Sequence, residues 1–200
     1  KNLEWGAIAY LSKSIYGKNT VSVWPNPSRD YITGCAGVSI ASNNFAGCPY
    51  DYTTSNGKET STTGNIYGIY DMSGGAWERV SSYINNGNSV LTTYGSSLLS
   101  ADNKYKELYE KATTDNAVNN YALAIQYKGD AVYETSSSTG GVTAWFSDGT
   151  SMPCIDNPFF MRGARWNFSN DSGIFVFWGN YGNDSSVFTF RPVIAVNKGL

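Results

Sequence analysis

The chain contains no histidine. That absence removes Ser-His and Cys-His nucleophilic pairs, histidine-ligated zinc and the iron sites of histidine-dependent oxygenases. Its three cysteines, Cys35, Cys48 and Cys154, have no Cys-x-x-Cys spacing, so neither a zinc nor an iron–sulfur centre is expected. Charge is scarce, with 14 Lys plus Arg against 16 Asp plus Glu in 200 residues. The basic residues are scattered and form no positive stripe of the kind that nucleic acid or an anionic membrane requires. No apolar run reaches the length of a membrane span, so this domain is not expected to insert into a bilayer. Lys1-Asn2-Leu3-Glu4-Trp5 has neither the charged nor the apolar region of a signal peptide. The sequence is therefore expected to be a domain excised from a longer surface protein.

What is present is an unusual wealth of Tyr, Asn, Ser, Gly and Thr, including 15 Tyr and 21 Gly. Such a chain favours short strands joined by long ordered loops. The carboxylates are dispersed, and local spacing nominates no acid/base pair of the glycosidase type. Gly34-Cys35-Ala36-Gly37 and Ser73-Gly74-Gly75 lack the spacing of phosphate-cradling loops and read as turns.

Leu3, Ile8, Leu11 and Ile15 recur at near-helical spacing, which predicts an amphipathic helix over 3–14 ended at Gly17. Residues 18–65 read as loop, with turn chemistry at Trp24-Pro25-Asn26-Pro27 and Ser55-Asn56-Gly57. Tyr105, Leu108, Tyr109 and Ala112 predict a second helix from Asp102, and Asp115 is placed to cap a third carrying Ala117, Tyr121, Ala122 and Ile125. From Gly129 onward, residues 130–133 and 142–146 read as short strands between turns. With no repeat and no linker, the pattern is a single α+β domain. Cys35 and Cys48 bracket a small-residue loop that a disulfide would restrain, the alternative being two buried thiols; Cys154 is left as a structural thiol.

Gly64-Asn65-Ile66-Tyr67-Gly68-Ile69-Tyr70-Asp71-Met72-Ser73-Gly74-Gly75-Ala76-Trp77-Glu78 resembles the G-(L/I)-Y-D-M-x-G-N-V-W-E-W signature of the formylglycine-generating enzyme and sulfatase-modifying-factor family. Phe160-Met161-Arg162-Gly163-Ala164-Arg165-Trp166 is similar to its R-G-G-x-W strand, and Phe190-Arg191-Pro192-Val193-Ile194 to its closing G-F-R-x-V strand. The resemblance implies a C-type-lectin-like fold of short antiparallel strands with a few helices. It makes Asp71, Trp77, Arg162, Trp166, Trp178 and Arg191 framework residues. The copper-binding cysteine pair of the formylglycine-generating enzymes has no counterpart here, nor has the histidine cluster of their ergothioneine-synthesising relatives. The likeness therefore carries the scaffold and not the oxidase activity.

One branch of this fold comprises the variable proteins of diversity-generating retroelements, whose C-terminal part is rewritten at template adenines, mostly in AAY codons. Such rewriting never yields Lys, Glu, Gln, Met or Trp. Between Gly163 and Thr189 there is no Lys, Glu, Gln or Met, and Trp166 and Trp178 are assigned to the framework. The resemblance implies a variable segment over about 163–190. In it Gly163, Gly173, Ile174, Phe175, Phe177 and Gly182, with Phe190, serve as scaffold. Arg165, Asn167, Phe168, Asn170, Asp171, Val176, Asn180, Tyr181, Asn183, Asp184, Ser185, Val187 and Phe188 are displayed. Exposed Phe168 and Phe188 are the expected hot spots.

The function implied is non-enzymatic recognition, without cofactor or metal, of a protein or glycan on a cell surface. The setting implied is extracellular, at a cell surface, pilus or phage tail. A calcium-dependent sugar lectin using Asn180, Asn183 and Asp184, and a sulfatase-modifying-factor-like enzyme, are the competing expectations.

Overall fold

The computed structural model describes residues 1–28, 33–34, 48–168 and 171–193. The first helix, α1 (Asn2–Lys13), matches its expected place but buries another face. Asn2, Trp5, Gly6, Ala9 and Ser12 turn inward, whereas Leu3 and Leu11 are exposed and Ile15, beyond the helix, is 79% exposed. The i, i+3, i+4 spacing of the inward set is as helical as that of the leucines. Trp5 brings the largest apolar area, and its indole Nε1 donates to the Ile174 carbonyl at 2.7 Å. Gly6 is required because a Cβ there would lie 2.1 Å from the Gly129 carbonyl oxygen.

Ser55-Asn56-Gly57 is no turn but the start of a short helix, α2 (Ser55–Glu59). Thr54 caps it, its hydroxyl accepting from the Gly57 amide at 2.9 Å. A central strand follows, β1 (Trp77–Ile84), then α3 (Ser89–Ser100), capped by Asn88 and kinked at Gly95. The helix predicted from Asp102 is instead a single 3-10 turn over Asn103–Tyr105 and a strand, β2 (Glu107–Tyr109). Pairing with β1 overrides the local helical pattern there. The third predicted helix is present as α4 (Ala117–Leu123), capped by Asn116 rather than Asp115. Residues 130–133 and 142–146 form turns and 3-10 pieces, not strands. The remaining strands are β3 (Phe159–Arg162), β4 (Phe177–Asn180) and β5 (Phe188–Thr189).

The architecture is thus mixed α and β, with one five-stranded sheet of order β2-β1-β3-β4 to which β5 adds beside β1. The sheet is mixed, not antiparallel throughout: β1 pairs antiparallel with β3 but parallel with both β2 and β5. Both parallel partners lie along one edge of β1, β5 at Trp77 and Glu78 and β2 at Ser82–Ile84. Alternation divides the core. Phe160, Ile84 and Phe177 pack with Tyr109, Tyr121 and Val132 on one face. Met161 and Trp77 pack with Val176 and Ala164 on the other.

On the first face lies Arg162, fully buried. Its Nη2 donates to the Ala131 carbonyl at 2.9 Å, and its guanidinium sits 5.7 Å from the Trp5 ring centre. Burial pulls its pKa down to about 10, opposed by Asp130, Tyr109, Glu107 and Asp148. Asp130 accepts from the Tyr109 hydroxyl at 2.6 Å, and Tyr109 accepts from Asn2 Nδ2 at 3.0 Å. The network ties α1 to β2 beside β3, and its acidic groups favour the buried charge, although Arg162 Nε and Nη1 have no hydrogen-bond partner among the described residues. Asp148, also buried, accepts from the Phe175 amide at 2.8 Å. Burial pushes its carboxyl up to about 8 despite that bond and Arg162.

Gly6→Ala is expected to destabilise the fold by about 1–3 kcal/mol, because the rigid Gly129 carbonyl must move; urea unfolding measures it. Between the ordinary carboxyl value of 3.8 and about 8, Asp148 holds a proton in the folded chain that the unfolded chain lacks. Its contribution to stability therefore declines as pH rises through that window, at up to about 1.4 kcal/mol per pH unit. Asp148→Asn is expected to flatten the decline, and an unchanged slope of unfolding free energy against pH would contradict this.

Candidate functional site

The segment singled out in the sequence leaves β3, packs Ala164, Phe168 and Val176 on the second face of the sheet and Ile174 and Phe175 against Trp5, returns through β4 and ends in β5. Its centre is structural. Ile174, Phe175, Val176 and Phe177 are completely buried, and Ser172 nearly so. Three backbone amides bind this centre to residues 148–151. Phe175 donates to Asp148, Gly149 to the Asp171 carbonyl at 2.9 Å and Ser151 to the Phe177 carbonyl at 2.8 Å. Gly173 has no room for a side chain, since a Cβ would lie 1.9 Å from the Asp148 carboxylate.

Side chains on either side of this buried run face water. Asn167 and Asp171 are exposed before it, and Tyr181, Asn183, Asp184 and Ser185 after it. Arg165 and Asn180 are half-buried. Val176 was expected on display and is instead wholly buried among Trp77, Met161 and Ala164. It precedes β4 on the side of the chain turned to the sheet, where an apolar side chain is removed from water. Asn170 lies outside the described residues.

Phe168 and Phe188 correct the expectation of exposed hot spots, and Val187 that of display, since each is half-buried against Trp77, Met161, Ala164 and Val176. The Phe168 ring meets Trp77 edge-on at 5.1 Å and Trp178 at 5.5 Å. These rings form an aromatic floor whose rims reach the surface. Arg165 caps it, its guanidinium 6.0 Å from the Phe168 ring centre and 5.6 Å from that of Trp166. Trp166 and Trp178, both half-buried, hold framework positions: the Trp166 amide donates to Gly75 at 3.0 Å and Trp178 lies in β4 opposite Met161. Phe190, expected as scaffold, is 75% exposed.

Arg79 belongs to the site although nothing in its local sequence marks it. From β1 it reaches the far loop, donating to the Asn183 carbonyl, with its guanidinium 4.6 Å from the Phe188 ring centre. Burial lowers its pKa, and Asp184 pulls it back up. Tyr94 of α3 touches Tyr181 at 5.3 Å between ring centres. Asn180 accepts from the Gly182 amide at 2.9 Å, and Asn183 Nδ2 donates to the Asp184 carbonyl at 3.3 Å. These are turn bonds. Among the described residues no group of three or more His, Cys, Asp or Glu side chains is placed to hold a metal. What the exposed set offers is amide, hydroxyl, phenol and carboxylate chemistry, suited to hydrogen-bonded recognition.

The framework motifs converge beneath the site. Glu78, 3% exposed, lies opposite Arg162 on one edge of β1 and Thr189 on the other. Its carboxylate takes both Arg191 Nε, at 2.6 Å, and Nη2. Arg191 also donates to the Tyr70 carbonyl at 3.1 Å and the Asp71 carbonyl at 3.0 Å. Asp71 accepts from the Thr33 amide at 3.0 Å and hydroxyl at 2.6 Å, and from Asn26 Nδ2 at 3.2 Å. Gly74 and Gly75, both at positive φ, reverse the chain there, and the Gly74 amide reaches the Gly163 carbonyl at 2.9 Å. Of the cysteines, Cys48 is disulfide-bonded and Cys154 is free, while Cys35 lies outside the described residues. Burial lifts the Cys154 thiol, which suits a structural role over a reactive one.

Arg191→Met strands the Glu78 carboxylate in the interior and is expected to cost about 3–5 kcal/mol in denaturant unfolding. Adding Glu78→Gln is expected to recover part of that loss; a double variant as unstable as the sum of both singles contradicts the coupling. The chain matches no family model, no curated protein and no solved structure.

Proposed function

We propose that this protein is a non-enzymatic recognition domain on a C-type-lectin-like scaffold of the formylglycine-generating-enzyme type, with a C-terminal segment diversified by a retroelement. The ligand is a protein or glycan at a cell surface, met outside the cell, at a pilus or at a phage tail. One observation carries the reading: six polar side chains, Asn167, Asp171, Tyr181, Asn183, Asp184 and Ser185, are exposed around a run of buried residues clamped from behind. Exchange of those side chains leaves the core untouched, as a surface under diversification requires. Tyr, Asn and Ser make adaptable contacts at low entropic cost, and the rims of Phe168, Trp178 and Phe188 give the surface an apolar centre. Further support comes from the meeting of the three family-like motifs at Glu78, Arg191, Gly74 and Gly163.

Single alanine substitutions at the six exposed positions are expected to change stability by less than about 0.5 kcal/mol. A displayed library randomised at all six should keep the parent melting behaviour in most clones and yield binders to immobilised surface proteins or glycans. A matched library randomised at 174–177 should not fold. Loss of folding in the first library would end the reading. So would an intact locus lacking both a reverse-transcriptase gene and a near-identical repeat of the 163–190 coding segment that differs at adenines.

A further inference from the structure

Between its two parallel partners the outer edge of β1 is left open. β5 pairs with Trp77 and Glu78 and β2 with Ser82–Ile84, so Arg79, Val80 and Ser81 have no described strand beside them on that edge. A cavity of about 580 Å³ lies against these residues, bordered by the start of α1, the middle of α3 and residues 190–193. Its size is that of sites for small organic ligands. The α3 border is shaped by Gly95, where the helix departs from helical geometry and a Cβ would lie 2.7 Å from the Phe159 ring.

The lining has two chemistries. Tyr94, Tyr105, Phe159 and Phe190 supply aromatic surface, and Phe190 and Tyr105 are 75% and 61% exposed, an arrangement that leaves apolar area in contact with water. The charged residues are unbalanced. Glu78 is neutralised by Arg191, and Glu4, paired with the N-terminal ammonium, is the other acid among the described lining residues. Against it stand the side chains of Lys1 and Lys104, and no described carboxylate forms an ion pair with either of them; the Arg79 guanidinium is held by the Asn183 carbonyl and the Phe188 ring. Lys104 is exposed, its Nζ 4.8 Å from the Tyr105 ring centre. A partly enclosed cavity lined by rings and carrying surplus positive charge fits a ligand with an apolar body and one acidic group, because the attraction is screened less there than in open water.

We propose that this cavity binds a small organic carboxylate with an aromatic or branched apolar body, the body against Tyr94, Phe159 and Phe190 and the acid toward Lys104. The cavity borders the display surface at Arg79 and Tyr94, but its ligand does not depend on that reading.

Calorimetric titration of the whole chain with 4-phenylbutyrate, and with its uncharged amide 4-phenylbutanamide, tests the proposal. Saturable one-site binding of the acid is expected, about tenfold weaker for the amide, a loss of about 1.4 kcal/mol. Lys104→Glu, on the exposed 3-10 turn, should weaken the acid by a similar factor and leave the amide unchanged. Ser97→Trp, which places an indole in the opening, should abolish both. Thermal melts establish that each variant is folded, and Lys104→Glu decides alone if Ser97→Trp is not. No saturable binding of the acid, equal binding of acid and amide, or binding indifferent to Lys104→Glu would each overturn the proposal.

Discussion

Glu78 is a carboxylate with almost no access to water, placed in the strand on which the sheet is built. Burial raises its pKa, and the Arg191 guanidinium, gripping it with two nitrogens, draws it back. A buried carboxylate without such a partner would oppose folding by several kcal/mol. The end of the chain is therefore bound to its middle. Arg191 can reach Glu78 only when β5 has docked beside β1, and Arg191 in turn holds the carbonyls of Tyr70 and Asp71 that lead into the Gly74-Gly75 reversal. Asp71 carries the chain of contacts onward to Thr33 and Asn26. Residues more than a hundred positions apart are set by one ion pair.

That constraint explains how a long loop over the sheet can be both ordered and tolerant. The segment between β3 and β5 is pinned by β4 at its centre, by the amides that bond to residues 148–151 and by the ion pair just past its end. The pinning uses backbone groups and buried or half-buried side chains. Asn167, Asp171, Tyr181, Asn183, Asp184 and Ser185 take little part in it, so exchanging them would leave the pinning in place. The aromatic rings beneath them occupy an intermediate place. Phe168 and Phe188 pack on Trp77 and Trp178 firmly enough to belong to the frame, yet keep edges at the surface.

Much of this frame was legible before any coordinates. Asp71, Trp77, Arg162 and Arg191 stood out because each sits in a segment that resembles a family motif, and all four are held by tertiary contacts. The helix near the start and the one after Asn116 were legible from period and caps. Less so was the face α1 buries: two stripes of equal helical spacing compete there, and the position of Ile174 and Gly129 across the gap selects Trp5 with its small and polar neighbours over the leucines. Residues 107–109 look helical with their neighbours, but β1 offers them an open edge. Val176 has the composition of the display set, and no local signal distinguishes it from its exposed neighbours.

Composition and motif by themselves determined a histidine-free, charge-poor chain of mixed α and β elements, with Asp71, Arg162 and Arg191 in its framework and a tail rich in Asn, Ser, Tyr and Gly. Tertiary structure alone decided which residues of that tail face water, that Arg79 reaches across to the Asn183 loop, and that a cavity opens where β1 changes partners. The reason is that burial and pairing depend on what stands opposite a residue, and for this chain the opposite residue is usually on a distant strand or loop.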